Sequence, residues 1–113
     1  MLTPDRSEIF WAPKADHDLL NIWMHYASVA SSELADCIVA EIMDAADHLK
    51  FDPRLGRPRP EFGSTTRSLL CHPYTIFYRI TARETDFDQT HEIEVSRVLH
   101  DRQNFEVALF EEE

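Results

Sequence analysis

Hydrophobic positions along this chain recur with a period of two, then with that of a helix, then with a period of two again. The stretch SEIFWAP (7–13) alternates, with Ile9 and Trp11 on one face and Phe10 and Ala12 on the other, and so predicts a strand. Pro13 ends it and presets the backbone for a first helical turn. Asp16 and Asp18 then lie where a helix N-terminus favours negative charge. From Lys14 to Val29, Ala15, Leu19, Ile22, Trp23, Tyr26 and Ala27 follow helical spacing. SSEL (31–34) supplies a cap, and a second helix puts Leu34, Cys37, Ile38, Ile42, Ala45 and Leu49 on one stripe until Pro53 stops it. Two amphipathic helices joined by so short a link form an antiparallel hairpin. TRSLLC (66–71), YTIFYRITAR (74–83) and HEIEVSRVLH (91–100) alternate and are rich in β-branched and aromatic residues, so they read as strands. Cys71-His72-Pro73 makes one hairpin turn, and Thr85–Thr90, with Asp86 and Asp88, a looser one. DRQNFEVALF (101–110) closes the chain as a short helix with Phe105, Ala108 and Leu109 inward. The expected fold is α+β in two layers, β-α-α-β-β-β with a short C-terminal helix, the helical hairpin packed on one face of an antiparallel sheet.

Between helices and strands lies KFDPRLGRPRPEF (50–62), which fits neither period. It holds three prolines, the first of the chain's two glycines and three arginines. Proline restricts φ and keeps so long a connection ordered. Gly56 is expected to permit a turn that other residues resist. Arg57 and Arg59 are open to a structural role and to one in surface charge.

At 113 residues with 43% apolar content, the chain suits one domain, 1–113, with one core. No apolar run approaches the ~18 residues of a membrane span, and the N-terminus has no charged-then-apolar signal pattern. Two cysteines, Cys37 and Cys71, make neither a disulfide framework nor a local metal pattern, which fits a reduced, cytoplasmic protein. The net charge of −10 argues against general nucleic-acid binding. That charge is uneven. From Arg54 to Arg83 there are six arginines and one acid, Glu61, whereas the first fifty residues carry nine acids against three bases. The chain ends in a further acidic tail, FEEE.

Candidate chemistry is sparse. Asp44, Asp47 and His48 share a helix face but lack a second histidine or cysteine at ligand spacing, and Asp16-His17-Asp18 decorates a helix start, so no metal site is expected. No glycine loop cradles a phosphate, no nucleophile elbow is present, and no cofactor is called for. Cys71 and His72 are adjacent, but neighbouring strand residues point to opposite faces. What remains is Arg67, Arg79 and Arg97 within strands, Arg102 just past the last, and His100 as the acid–base candidate.

LGRPRPE…RS, then IFYR, then RVLHDRQ, form a specific combination. In these stretches, and from APKADHDLLNIWMHYA onward, the chain resembles the ParE branch of the RelE/ParE toxins of bacterial type II toxin–antitoxin systems, over roughly residues 7–110. The resemblance implies the same order of elements that the pattern gives, and a toxin held inactive by a cognate antitoxin. It also implies one of two activities. ParE-type members are held to poison DNA gyrase by protein contact; RelE-type members cleave mRNA on the ribosome, using basic residues with a late aromatic or histidine. The nuclease pattern is poorly met here, since net charge is negative, Lys50 is the lone base of the second helix and no tyrosine follows Tyr78. Gyrase inhibition without catalytic residues is therefore the expectation. In that case Arg67, Arg79, Arg97 and Arg102 are candidates to contact antitoxin or target, with Arg67 and Arg79 meeting antitoxin acids. The rival is an endoribonuclease using His100, Arg97, Arg102, Arg79 and Arg67, or else a degenerate, harmless antitoxin-binding module. Ala12 stands where many relatives have serine before the proline, which weakens the first helix cap.

Overall fold

The computed structural model of the chain describes residues 8–84 and 89–110. Strand β1, Glu8–Trp11, runs directly into helix α1, Pro13–Val29, with Pro13 in the first turn and Ala12 at the N-cap making no side-chain bond. Two residues separate α1 from α2, Ser32–Asp47, which Ser31 caps by accepting the N–H of Leu34 at 3.1 Å. The alternating segments become β3, Thr66–Cys71, β4, Tyr74–Glu84, and β5, Gln89–His100, and α3, Phe105–Phe110, follows. The turn expected at Thr85–Thr90 and the acidic residues at the end of FEEE fall largely outside the described residues.

Three features depart from the pattern reading. A further strand of two residues, β2, Arg57–Pro58, forms inside the proline-rich connector and pairs antiparallel with β3. The five strands lie in the order β1-β5-β4-β3-β2, and β1 is parallel to β5, so the sheet is mixed rather than antiparallel. The strands β2, β3, β4 and β5 alternate in direction, so β3 and β5 run the same way as β1.

The second departure is the inward face of α2. Ala35, Ile42 and Ala46 are buried there, while Leu34 and Cys37, expected in the core, are exposed. Small residues at the contact let the helix approach its neighbours closely, which rotates the larger Leu34 and the Cys37 thiol outward. The helix also stops well before Pro53, passing through a 3-10 turn at His48–Lys50. The hairpin side of the sheet then closes over one apolar cluster, including Leu19, Ile22, Ile42, Ile76, Val95 and Val98, that continues towards Leu49, Tyr78 and Ile93. A bulge makes this possible. Phe77 pairs with Arg97 but Tyr78 with Val95, so Ser96 is the extra residue and Val98 joins Val95 on the hairpin side.

Third, not every helix lies on one face. Phe77, fully buried, takes its ring contacts from Phe62 in the 3-10 turn Pro60–Phe62, at 5.7 Å, and from Phe105 of α3, at 5.1 Å. Phe110 of α3 lies 6.0 Å from Phe62. The short helix and the connector together cover one end of the sheet's second face.

Candidate functional surface

Arg97 occupies the place where the edge of β5 loses its partner strand. Ala12 still donates to Val95 O at 2.9 Å, but Pro13 then starts a helix, and the N–H of Val98 is left without a strand to pair. The Asp18 carboxylate of α1 accepts it at 2.9 Å. Arg97 grips the same carboxylate in a fork, Nε to Oδ2 at 2.8 Å and Nη2 to Oδ1 at 3.0 Å, and donates from Nη1 to Ala108 O of α3 at 2.9 Å. The two side chains are 19% and 12% exposed. Arg97 therefore ties α1, β5 and α3 together.

Arg67 is likewise turned into the molecule. Its Nε donates to Gly56 O at 2.9 Å and its Nη2 to Arg54 O at 3.4 Å, clamping the connector onto β3. Tyr78 completes the clamp, donating its hydroxyl to Pro53 O at 2.8 Å and accepting the N–H of Gly56 at 2.9 Å. Burial pushes the Tyr78 phenol up, against the lowering effect of that N–H and of Arg67. Gly56 is thus needed for space, not for a turn conformation. A Cβ there would meet Ser68 O at 2.5 Å and Tyr78 Oη at 2.7 Å, whereas the glycine with positive φ is Gly63, at 146°. The two open arginines also separate. Arg59 sits over the rings of Phe62, Phe77 and Phe105 at 5.0, 5.5 and 6.0 Å and bonds Ser68 and Glu61, while Arg57 is exposed.

The remaining candidates fall at two distant places. Arg79 is exposed and paired with Glu94 on an open cleft of about 480 Å³ that Phe10, Thr65, Thr81 and Glu92 also line. His100 lies at the other end of the sheet. Its Nδ1 accepts the backbone N–H of Arg102 at 3.0 Å, which leaves its ring proton on Nε2, and its ring meets Tyr74 edge-on at 5.3 Å. It lines a cleft of about 340 Å³ with His25, Tyr26 and Tyr74. Arg102 itself is exposed. His100 pairs with Tyr74, and Arg79 is five residues further along β4, about 16 Å at strand rise. Those five residues also put Tyr74 and Arg79 on opposite faces of the sheet. The Cys71–His72 pair does not form either. His72 faces Asp101 at 3.2 Å, and burial, with Glu41 nearby, pushes the Cys71 thiol up and away from reactivity. Among the described residues no cluster of three or more His, Cys, Asp or Glu is placed to hold a metal ion, and no helix is long and apolar enough to cross a membrane.

Comparison with known proteins decides the family. The model of the ParE toxin of type II toxin–antitoxin systems matches residues 9–105. The chain belongs to the ParE toxin family. Toxin ParE1 of Mycobacterium tuberculosis, in two strains, is 31% identical over 96 residues, which covers 85% of this chain and 91% of the relative. A chain of the chromosomal ParDE system from P. aeruginosa superposes with a TM-score of 0.68 at 25% identity, over 84% of this chain and 96% of that one. A chain of the RelBE2 toxin–antitoxin complex of M. tuberculosis shares the fold, with a TM-score of 0.56 at 23% identity over 84% and 98% of the two chains. The ParE match spans β1 to the start of α3, and so includes the connector clamp, the Asp18–Arg97 fork and His100. Pattern reading passed over Asp18 and Tyr78 because each had a sufficient local explanation, helix-end charge for one and a strand alternation for the other. The signal that was present is the pairing of a proline-rich connector with a tyrosine in the middle of a strand.

Proposed function

We propose that this ParE-family toxin acts by protein–protein contact on DNA gyrase in the cytoplasm and is neutralised by a cognate antitoxin. One arrangement carries the reading: the groups a nuclease would use do not converge on one place, since of the arginines named only Arg102 is bonded to His100, through its backbone N–H. Arg67 and Arg97 are engaged within the fold, Arg79 is paired with Glu94, and His100 stands about 16 Å from Arg79 along the sheet. A phosphoryl transition state needs cationic donors aimed at one place where charge develops. The net charge of −10 adds a long-range field unfavourable to an RNA substrate.

The test is to express the chain alone and to follow replication, the DNA-damage response and bulk translation together, with purified chain added to gyrase and relaxed plasmid in parallel. Early arrest of replication and loss of supercoiling are expected. Early loss of translation with gyrase untouched would favour the nuclease. Two variants refine the result. His100→Gln keeps a hydrogen-bond acceptor while removing acid–base titration, and is expected to remain toxic. Arg102→Glu, at an exposed side chain, is expected to reduce toxicity without unfolding the domain. Arg97 is no longer a clean probe of target contact, because replacing it breaks the fork with Asp18.

A further inference from the structure

Six arginines fall between Arg54 and Arg83 against a single acid, and the fold uses their guanidinium groups unequally. Arg59 is bonded to Ser68 and Glu61, and Arg79 to Glu94. Arg54 differs. Its carbonyl accepts from Arg67, but its exposed guanidinium makes no hydrogen bond or ion pair among the described residues. It lines an open cleft of about 240 Å³ beside β2, with Arg67, Ser64, Thr65 and Thr66. Arg67 commits Nε and Nη2 to the connector and keeps the protons of Nη1. Ser64 and Thr65 lie between the positive-φ Gly63 and the start of β3, and their N–H groups make no hydrogen bond among the described residues. No carboxylate among the described residues lines this cleft, whereas the cleft around Arg79 has both Glu92 and Glu94. The first is thus a concavity of donors without a competing anion.

We propose that this cleft holds a backbone phosphate of duplex DNA bound to gyrase, an inference that rests on the gyrase reading above. A tetrahedral oxyanion takes several donors at once, and two guanidinium groups beside hydroxyls and unbonded amides supply them. Size favours one group of a larger molecule. At about 240 Å³ the cleft is smaller than sites that enclose a whole small ligand such as a nucleotide. A phosphate contact positions DNA without reading its bases, so the site is independent of sequence. The net charge of −10 opposes free DNA, but salt screens that field beyond a Debye length of about 8 Å. Contact with gyrase then supplies the DNA at high effective concentration, so a site too weak to hold DNA alone still adds affinity for the gyrase–DNA complex.

The test takes the full chain with purified gyrase and measures the dissociation constant by biolayer interferometry, with and without a linear duplex on the enzyme. The wild-type chain is expected to bind about 10-fold more tightly when the duplex is present, as for one or two charge-assisted hydrogen bonds. Arg54→Glu is expected to abolish that gain and to leave binding to DNA-free gyrase unchanged. Arg57→Glu makes the same change of charge nearby but outside the cleft, and is expected to keep most of the gain. Circular dichroism melts verify that both variants are folded. A wild-type affinity that the duplex does not alter, or equal losses in the two variants, overturns the cleft and leaves the gyrase reading standing. A wild-type chain that binds gyrase in neither state overturns that reading and this inference with it. Titration of the chain with inorganic phosphate at constant ionic strength, followed by nuclear magnetic resonance, separates the source. Weak shifts of the Ser64 and Thr65 amides at millimolar phosphate are expected, and saturation at micromolar phosphate would assign the cleft to the free ion and overturn the DNA assignment.

Discussion

The connector between α2 and β3 and the outer side of the helical hairpin are both dense in charge, yet the molecule sets them in opposite environments. In the connector, Arg59 is 12% exposed and lies across three aromatic rings, and the backbone around Gly56 is bonded by Arg67 and Tyr78. In the hairpin, the acids face water, apart from Asp18, which the Arg97 fork and the Val98 N–H take inward. The difference lies in the chemistry of the two groups. A guanidinium is planar, stacks on rings and has five donors for backbone oxygens, so it can be buried with partners near at hand. A carboxylate only accepts, and is buried here where both a guanidinium and a backbone N–H are aimed at it. Sign and density of charge in a stretch of sequence therefore do not give the potential of the surface it forms.

The sharpest way to break this comparison is to remove the one arginine that draws a hairpin acid inward. Arg97→Met is expected to cost about 3–4 kcal/mol in urea unfolding, because it strands a largely buried carboxylate. Adding Asp18→Asn is expected to recover part of the loss, since the amide oxygen still accepts from Val98 without carrying a charge. An unchanged midpoint for Arg97→Met would return Arg97 to the surface.

Gly56→Ala comes next, at about 2–3 kcal/mol, because the atoms its Cβ would meet are a strand carbonyl and a hydroxyl bonded at both sides. A melt within a degree of wild type would show that the connector can move off the sheet. The two open arginines give a smaller and paired effect. Arg59→Ala is expected to lose about 1–2 kcal/mol with its ring contacts and bonds, and Arg57→Ala to stay within about 0.5 kcal/mol. Equal losses would erase the contrast between buried and exposed cations within the connector.

The smallest effect is alkaline. Burial, followed by the bond to Tyr26, raises the Tyr74 phenol, so the folded state keeps its proton at a pH where the unfolded chain ionises. Stability from this group is complete below the ordinary phenol value of about 10 and is lost as pH rises above it. By pH 10.5 the loss is roughly 1 kcal/mol, and Tyr74→Phe should flatten that limb of the stability profile. A wild-type profile that Tyr74→Phe leaves unaltered would place the Tyr74 hydroxyl in water.

How much of this was legible beforehand depends on the range of the interaction involved. The span of α1, a cap within SSEL and the alternation of β3 to β5 follow from periods and neighbours a few residues apart, and they lie close to the observed bounds, whereas α2 ends at Asp47 rather than at Pro53. The face of α2 did not, because Leu34 and Ala35 differ by one helical step and the choice between them is made by what α1 and the sheet present. The strand β2 holds two residues, Arg57–Pro58, too few to show a period, and the parallel pairing of β1 with β5 joins segments far apart in the chain. Among the candidate residues, their identities were readable as basic groups in strands, but their partners were not: Asp18 and Arg97 are 79 positions apart.

By itself, then, the sequence determined the element types, the order of the elements and the family, since these rest on local propensity, periodicity and a specific run of motifs. The tertiary structure decided which charges are available. A guanidinium's fate depends on whether a carboxylate, a ring or an unpaired carbonyl happens to lie within about 3–5 Å of it. The bulge at Ser96, the end of β1 at Trp11 and the extra strand in the connector set those distances. Each of them arises from chain segments meeting across the fold, where periodicity along the chain carries no information.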